Sequence, residues 1–108
     1  MAKNYIQDGN TIHLQNAGAK VIASGTPVAV GGMIAVTLVD IQPASSGTGA
    51  ITGVFLLPKV EAEEIPQGSR VYLKDGLIQL EEADAVAAGV AWYTAESGRG
   101  LVEIKINV

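Results

Sequence analysis

The residues that could carry out chemistry in this chain are few, and the first to consider is its single histidine, His13. Residues 11–15 alternate polar and apolar side chains, which predicts a half-buried strand with Ile12 and Leu14 on one face and His13 on the other. No acid or nucleophile stands at a spacing typical of a catalytic triad or a metal site. We therefore expect a surface or interface histidine. Because the chain has no cysteine, thiol catalysis, disulfides and cysteine-bound metals are excluded.

Acidic residues form two local groups whose side chains are of the type that binds hard cations or shares protons. The first group is Glu61, Glu63 and Glu64, and the second is Glu81, Glu82 and Asp84. The first lacks the spaced Asp, Asn and Gly ligands of a calcium loop, and the second lies in a polar connection away from pocket-forming aromatic residues. The sequence therefore predicts solvated loops, no metal site and no cofactor. Acids distant in sequence can still meet in the fold, and spacing does not test this.

Composition and charge exclude further partners. The glycine-rich stretch at residues 45–49 has no following lysine and no helix to hold a phosphate, so we expect no nucleotide there. A net charge of −4, no basic cluster and 5% aromatic residues argue against nucleic acid. The longest weakly polar stretch, Pro27–Val39, is too short to span a bilayer and is broken by glycines. We expect no membrane partner and synthesis in the cytoplasm.

The elements around these residues are organised by the segment from Ala50 to Leu80. Residues 51–57 form an apolar run that predicts a largely buried strand, which Pro58 ends by removing a ladder donor. Asp75 and Gly76 separate the alternating runs 71–74 and 77–81. An Asp-Gly pair in this position predicts a two-residue hairpin loop with positive φ at both residues.

The remaining chain is read from its alternation and its turn residues. Further strands are predicted at residues 11–15, 28–30, 33–39, 90–94 and 101–108. Residues 40–49 have the composition of an exposed loop, and residues 82–88 allow at most a short helical turn. Trp92 and Tyr93 are adjacent on a predicted strand, so we expect one in the core and the other facing a partner or solvent.

Eight or nine short strands with turns between them predict an all-β fold, either a small β-barrel or a β-sandwich. At 108 residues, the chain is expected to form a single domain over 1–108. Its first ten residues form a polar arm that contains two apolar anchors, Tyr5 and Ile6, and ends in an Asp-Gly-Asn turn signal. We expect an extended N-terminal arm at 1–10.

Several segments together resemble a family of tailed-phage and prophage capsid cement proteins, also called decoration proteins. The segments are MAKNYIQDGNTIHL, ASGTPVAVGG, ITGVFLLPK, IPQGSRVYLK and GVAWY before a terminal alternating strand. The resemblance implies a structural virion protein, not an enzyme, that sits on the outside of an expanded head and binds neighbouring major capsid subunits. We expect the capsid-binding arm residues to be Lys3, Asn4, Tyr5 and Ile6.

The high apolar content, 48% of residues, predicts that apolar surface is buried against a partner. We expect a homo-oligomer, with a trimer favoured and a dimer as the alternative. A rival interpretation is a phage tail accessory, a carbohydrate-binding module or a small hydrolase, which would show an exposed aromatic platform or acids converging in a cleft. A third, an adaptor bound to a recombinase, has no support from any residue.

Overall fold

The computed structural model describes Asn4 and residues 6–108, and within these residues the fold is all-β with no helix. The strands are β1 (Thr11–Gln15), β2 (Pro27–Val30), β3 (Met33–Thr37), β4 (Ser46–Ala50), β5 (Val54–Pro58), β6 (Arg70–Lys74), β7 (Leu77–Gln79), β8 (Val86–Ala91) and β9 (Leu101–Ile106). They form two antiparallel sheets, with strand orders β1-β4-β3-β2 and β5-β9-β8-β6-β7. This confirms the predicted all-β fold, and the packed pair of sheets is sandwich-like.

The two sheets share one apolar core, and β3 connects them. Ile34 and Val36 of β3 pack with buried residues of the second sheet, among them Leu57, Val71 and Ile104. Between them, Ala35 points to the other side of the first sheet and joins a smaller cluster. Because alternate side chains of a strand point to opposite faces, β3 is buried on both of its faces.

The second sheet curls so that its two outer strands approach each other. Lys59, directly after β5, forms a parallel bridge with Ile78 of β7. The Val60 N–H donates to the Ile78 carbonyl at 3.0 Å. Ile78, Leu57 and Ile104 are fully buried inside this curl. The approach of β5 and β7 therefore encloses the apolar side chains on the concave face of the second sheet.

The hairpin between β6 and β7 has the predicted loop. Asp75 has a φ of 52° and Gly76 a φ of 80°. Lys74 pairs with Leu77, so the loop contains two residues. Positive φ at both positions gives the twist that matches two antiparallel strands. The hairpin prediction is confirmed, although β7 ends at Gln79 rather than at Glu81.

The predicted exposed loop at residues 40–49 is wrong in its second half. β4 lies between β1 and β3, although its sequence is only SGTGA. A Cβ on Gly49 would lie 2.5 Å from Leu14 Cδ1, and one on Gly47 would lie 2.7 Å from Ile41 Cγ1. The glycines are there because large side chains from elsewhere lie over them. Ile41, within the supposed loop, is 1% exposed.

The strand predicted at residues 51–57 begins three residues later and includes Pro58. It is not largely buried, because Val54 is 40% exposed and Leu56 is 59% exposed, whereas Leu57 is fully buried. The prediction of a largely buried strand is wrong because the outward side chains of this apolar run are as apolar as its inward ones.

The predicted strand at residues 90–94 is displaced. β8 starts earlier, after a turn in which the Ala85 N–H donates to the Glu82 carbonyl at 3.1 Å and Asp84 has a φ of 57°. A turn at residues 82–85 agrees with the expectation of at most a short helical turn at residues 82–88, but the second half of that segment belongs to β8. Trp92 and Tyr93 follow β8 and are 45% and 56% exposed. The prediction that one of them is in the core is therefore wrong.

The C-terminal strand has the predicted alternation over most of its length. Val102, Ile104 and Ile106 are buried on one face of β9. Asn107 has a φ of 58°, which ends the strand, and Val108 is 54% exposed instead of continuing the buried face. Thr11–Gln15 is found as predicted, with Leu14 buried and His13 exposed.

Candidate interaction surfaces

The residues considered above for chemistry lie on the exposed side of β1 and in two loops. His13 is exposed on β1. Of the acids at 61–64, the Glu63 carboxylate accepts a hydrogen bond from the Leu80 N–H at 2.7 Å. Across Asn4 and residues 6–108, no group of three or more His, Asp or Glu side chains is placed to hold a metal ion. No helix in the same residues is long and apolar enough to cross a bilayer.

A buried lysine explains the shape of the acidic loop. Lys59 is 2% exposed. Its Nζ donates to the carbonyls of Val60 at 2.9 Å and Glu61 at 3.3 Å, and also to the carbonyl of Glu63. The loop thus folds around an ammonium group through backbone oxygens and leaves its carboxylates outside. Sequence reasoning missed this residue because a lysine after a proline-ended strand looks like an ordinary surface charge.

The arm leaves the fold at the junction of the two sheets. The Asn10 carbonyl accepts the Ile51 N–H at 3.1 Å. The side chain of Asn107 donates to the Ile51 carbonyl at 2.8 Å. The same amide group joins the Ile34 backbone, accepting its N–H at 3.0 Å and donating to its carbonyl at 2.7 Å. The arm is therefore rooted where backbone from both sheets is hydrogen-bonded together.

The structure describes two of the four arm residues expected to bind a partner. Asn4 is exposed, and Ile6 is 85% exposed. Lys3 and Tyr5 lie outside the described residues. An isoleucine with so much of its surface in water contributes little to the core of its own chain.

A second surface is the outward side of the second sheet, which we call the outer face; it comprises Val54, Leu56, Val90, Trp92, Tyr93, Leu101, Glu103 and Lys105. Leu56 pairs with Glu103, and the Trp92 N–H donates to the Glu103 carbonyl at 2.8 Å, so the three residues form one row. In the next row, Val54 pairs with Lys105, which pairs with Val90. The face is apolar with a few interspersed charges.

Two hollows indent the outer face, and Tyr93 borders both. One has a volume of about 430 Å³ and lies between Leu56, Tyr93 and Leu101, with Arg99 and Glu103 at its margin. The other, of about 340 Å³, is lined by Gln67, Val90, Trp92 and neighbouring residues. Such recesses beside exposed aromatic side chains are typical of surfaces that receive side chains of a partner protein. The sequence indicated this face only through Trp92 and Tyr93, one of which was expected to face a partner or solvent. It did not indicate Val54 and Leu56, because outward and inward apolar residues look alike in an apolar run.

These features define a class of protein: an all-β structural module whose distinctive surfaces are apolar contact areas. The chain belongs to the phage cement protein family, whose sequence model matches residues 6–106. It is thus a structural phage protein, and membership implies a component of the virion capsid that binds capsid protein. No curated protein and no solved structure matches the chain significantly.

Proposed function

We propose that this protein binds the outside of an expanded phage head and cements neighbouring major capsid subunits. The observation that carries the proposal is the family match over residues 6–106. The exposed apolar residues of the outer face and of the arm support it, because contact with a partner would remove them from water.

The proposed mechanism is mechanical. Packaged DNA presses on an expanded shell and tends to open the junctions between subunits. A protein that contacts two neighbours adds buried apolar area at the junction, at about 25 cal/mol for each Å². Many copies, each bound weakly, together raise the force needed to open the shell.

We assign the contacts to two parts of the molecule. The first is the segment Lys3, Asn4, Tyr5 and Ile6, which we assign to capsid binding, and the arm that carries it joins the fold at Asn10. The outer face supplies a broader apolar area that begins close to this root in the chain. Its first residue, Val54, follows Ile51, whose N–H donates to the Asn10 carbonyl, by three residues.

The test uses expanded and unexpanded shells that lack the cement protein. Purified chain should co-sediment with expanded shells only, and electron microscopy should show added density on their outer surface. Density inside the shell or on the tail, or equal binding to both forms, would refute the proposal.

A pair of variants tests the outer face. Leu56→Glu puts a charge on this face at a side chain that is 59% exposed, so it should lower occupancy on expanded shells at least about tenfold without changing the melting temperature. Val21→Glu is the matched control, because Val21 is 48% exposed but lies between β1 and β2, outside the strands that form the outer face. Equal occupancy of the two variants would remove the outer face from the proposed contact.

A further inference from the structure

The two sheets have four outer strands, and three of their free edges are closed to further pairing. Just before β2, the Thr37 N–H donates to the Thr26 carbonyl at 3.0 Å, so Thr26 directs its backbone groups toward β3. The next residue, Pro27, therefore directs its nitrogen to the free edge, and this nitrogen carries no hydrogen to donate. β5 ends in Pro58 and approaches β7 through the Lys59–Ile78 bridge. β7 has only three residues. Proline, short length and coverage are the usual protections of a sheet edge.

Within the part of the chain that the structure describes, the edge of β1 has none of these protections. Two hydrogen bonds flank its pairing with β4. At one end the Asn16 N–H donates to the Ser45 carbonyl at 2.8 Å, and at the other the Ile51 N–H donates to the Asn10 carbonyl at 3.1 Å. Because alternate residues of an antiparallel strand point their backbone groups to the same side, Ile12 and Leu14 face β4. Thr11, His13 and Gln15 therefore direct their N–H and C=O groups away from the sheet. None of β1 is proline, glycine or a lysine, arginine or carboxylate residue, and its register is regular.

We propose that this edge pairs in antiparallel fashion with the same edge of a second copy. A two-fold axis that passes between the two His13 residues relates the copies. In that register Thr11 lies opposite Gln15 of the second copy, and the two His13 residues lie opposite each other. Every outward N–H and C=O of these three residues then meets a partner. The result is one continuous eight-stranded sheet, built from the four strands of the first sheet of each copy.

Self-complementarity is the reason to assign the edge to a second copy rather than to another extended segment. A two-fold axis places His13 against its symmetry mate and Thr11 against Gln15, so charges of one sign on the strand would repel each other. β1 has no lysine, arginine or carboxylate residue. Ile12 and Leu14 also fall on the same face in both copies, which continues the apolar side of the sheet across the axis. The pairing goes beyond the proposed capsid function, favours the dimer over the trimer, and leaves the arm and the outer face available.

The first test is light scattering on the full chain without any shells. His13→Pro removes the central outward N–H while keeping the hydrogen bonds of Ile12 and Leu14 to β4. Ala29→Pro is the matched control, since Ala29 lies on the free edge of β2 at an equivalent outward position. We expect wild type and Ala29→Pro to be dimers and His13→Pro to be a monomer with the same β-sheet circular dichroism.

The second test remains informative if His13→Pro does not fold. His13→Glu and His13→Lys each place like charges opposite each other on the two-fold axis, so each variant alone should be monomeric. An equimolar mixture should form a heterodimer, detectable by native mass spectrometry. This rescue depends on the two side chains facing each other, which a general loss of stability would not reproduce.

Three outcomes would overturn the inference. The first is a wild-type protein that is monomeric at a concentration of hundreds of micromolar. The second is an oligomer that persists in all three His13 variants. The third is the same persistent oligomer in His13 variants whose occupancy on expanded shells is reduced. The last would assign the edge to an extended segment of capsid protein instead. Failure to bind shells with an intact dimer would refute the proposed function alone.

Discussion

At the scale of single residues, Lys59 stands out because its ammonium group is buried and needs hydrogen-bond acceptors inside the protein. A buried charge is stable only when its hydrogen bonds are made, and three carbonyls provide them here. Both the strand end at Pro58 and the turn at residues 60–63 are held by this side chain. We infer that Lys59 acts as a structural residue that shapes the loop.

Lys59→Met tests this role, because methionine retains most of the apolar stem and removes the donors. The variant should lose about 2–3 kcal/mol of unfolding free energy, with a melting temperature lower by roughly 10 °C or more. Lys74→Met, at an exposed lysine of β6, is the control and should melt within about 2 °C of wild type. Equal melting temperatures for both variants would show that the hydrogen bonds from the Lys59 ammonium to the three carbonyls do not stabilise the fold.

Gly89 gives a second prediction at this scale. Its φ is 145°, and a Cβ built on it would lie 2.1 Å from the carbonyl oxygen of Lys105. Gly89→Ala should therefore separate β8 from β9 locally and cost at least about 2 kcal/mol. Gly100→Ala is the control, since a Cβ there meets nothing within 4 Å. Thermal unfolding of both variants checks the prediction, and a Gly89→Ala protein as stable as the control contradicts it.

At the scale of elements, one kind of turn recurs along the chain. The residues with positive φ in these turns are Gly25, Ala44, Gly68, Asp84 and Gly98. Each stands shortly before β2, β4, β6, β8 or β9, and four of the turns are closed by a hydrogen bond from the next residue, as between Ser69 and Pro66 at 3.1 Å. Glycine marks three of them in the sequence. Ala44 and Asp84 adopt the same conformation without it, which is why the two regions around them were predicted least well.

The β6–β7 hairpin gives the prediction at this scale. Gly76→Val forces a β-branched side chain into a φ of 80° and should cost about 1–2 kcal/mol. Gly32→Val, in the loop between β2 and β3, is the matched control, because Gly32 has no positive φ and an added Cβ meets nothing within 4 Å. Denaturant unfolding should place the first variant below the second. The reverse order would mean that the loop tolerates a different turn type.

At the scale of the whole molecule, the arm is expected to serve binding rather than stability. Ile6 is 85% exposed, so removing it takes little from the core. A variant lacking residues 2–7 should melt within about 2 °C of wild type. Its occupancy on expanded shells should fall severalfold, because the contacts assigned to residues 3–6 would be lost.

Both quantities must be measured on the same preparation of the arm-deleted protein. An unchanged occupancy with a melting temperature several degrees lower would place the arm in the core of its own chain. The assignment of Lys3, Asn4, Tyr5 and Ile6 to capsid binding would then be wrong. A variant that replaces only Ile6 by Ser serves as a control for the general effect of shortening the chain.

The sequence by itself determined the elements whose rules are local. Alternation along residues 11–15 and 101–106 predicts which side chains are buried, because successive side chains of a strand point to opposite faces. The Asp75–Gly76 loop follows from the need for positive φ at two successive positions. The resemblance to cement proteins, carried by glycines, prolines and apolar positions, is confirmed by the family match.

Only the tertiary structure decided the features that depend on distant neighbours. The SGTGA strand is central because Leu14 and Ile41 cover its glycines, and no property of those five residues announces this. Lys59 is buried where its backbone pairs with Ile78 and donates to the Gly100 carbonyl, both distant in sequence. Trp92 is on the outer face because it follows Ala91, the last residue of β8, whose side chain is buried on the inner side against the rest of the core. Burial depends on what the rest of the chain brings to each face, and local patterns do not contain that information.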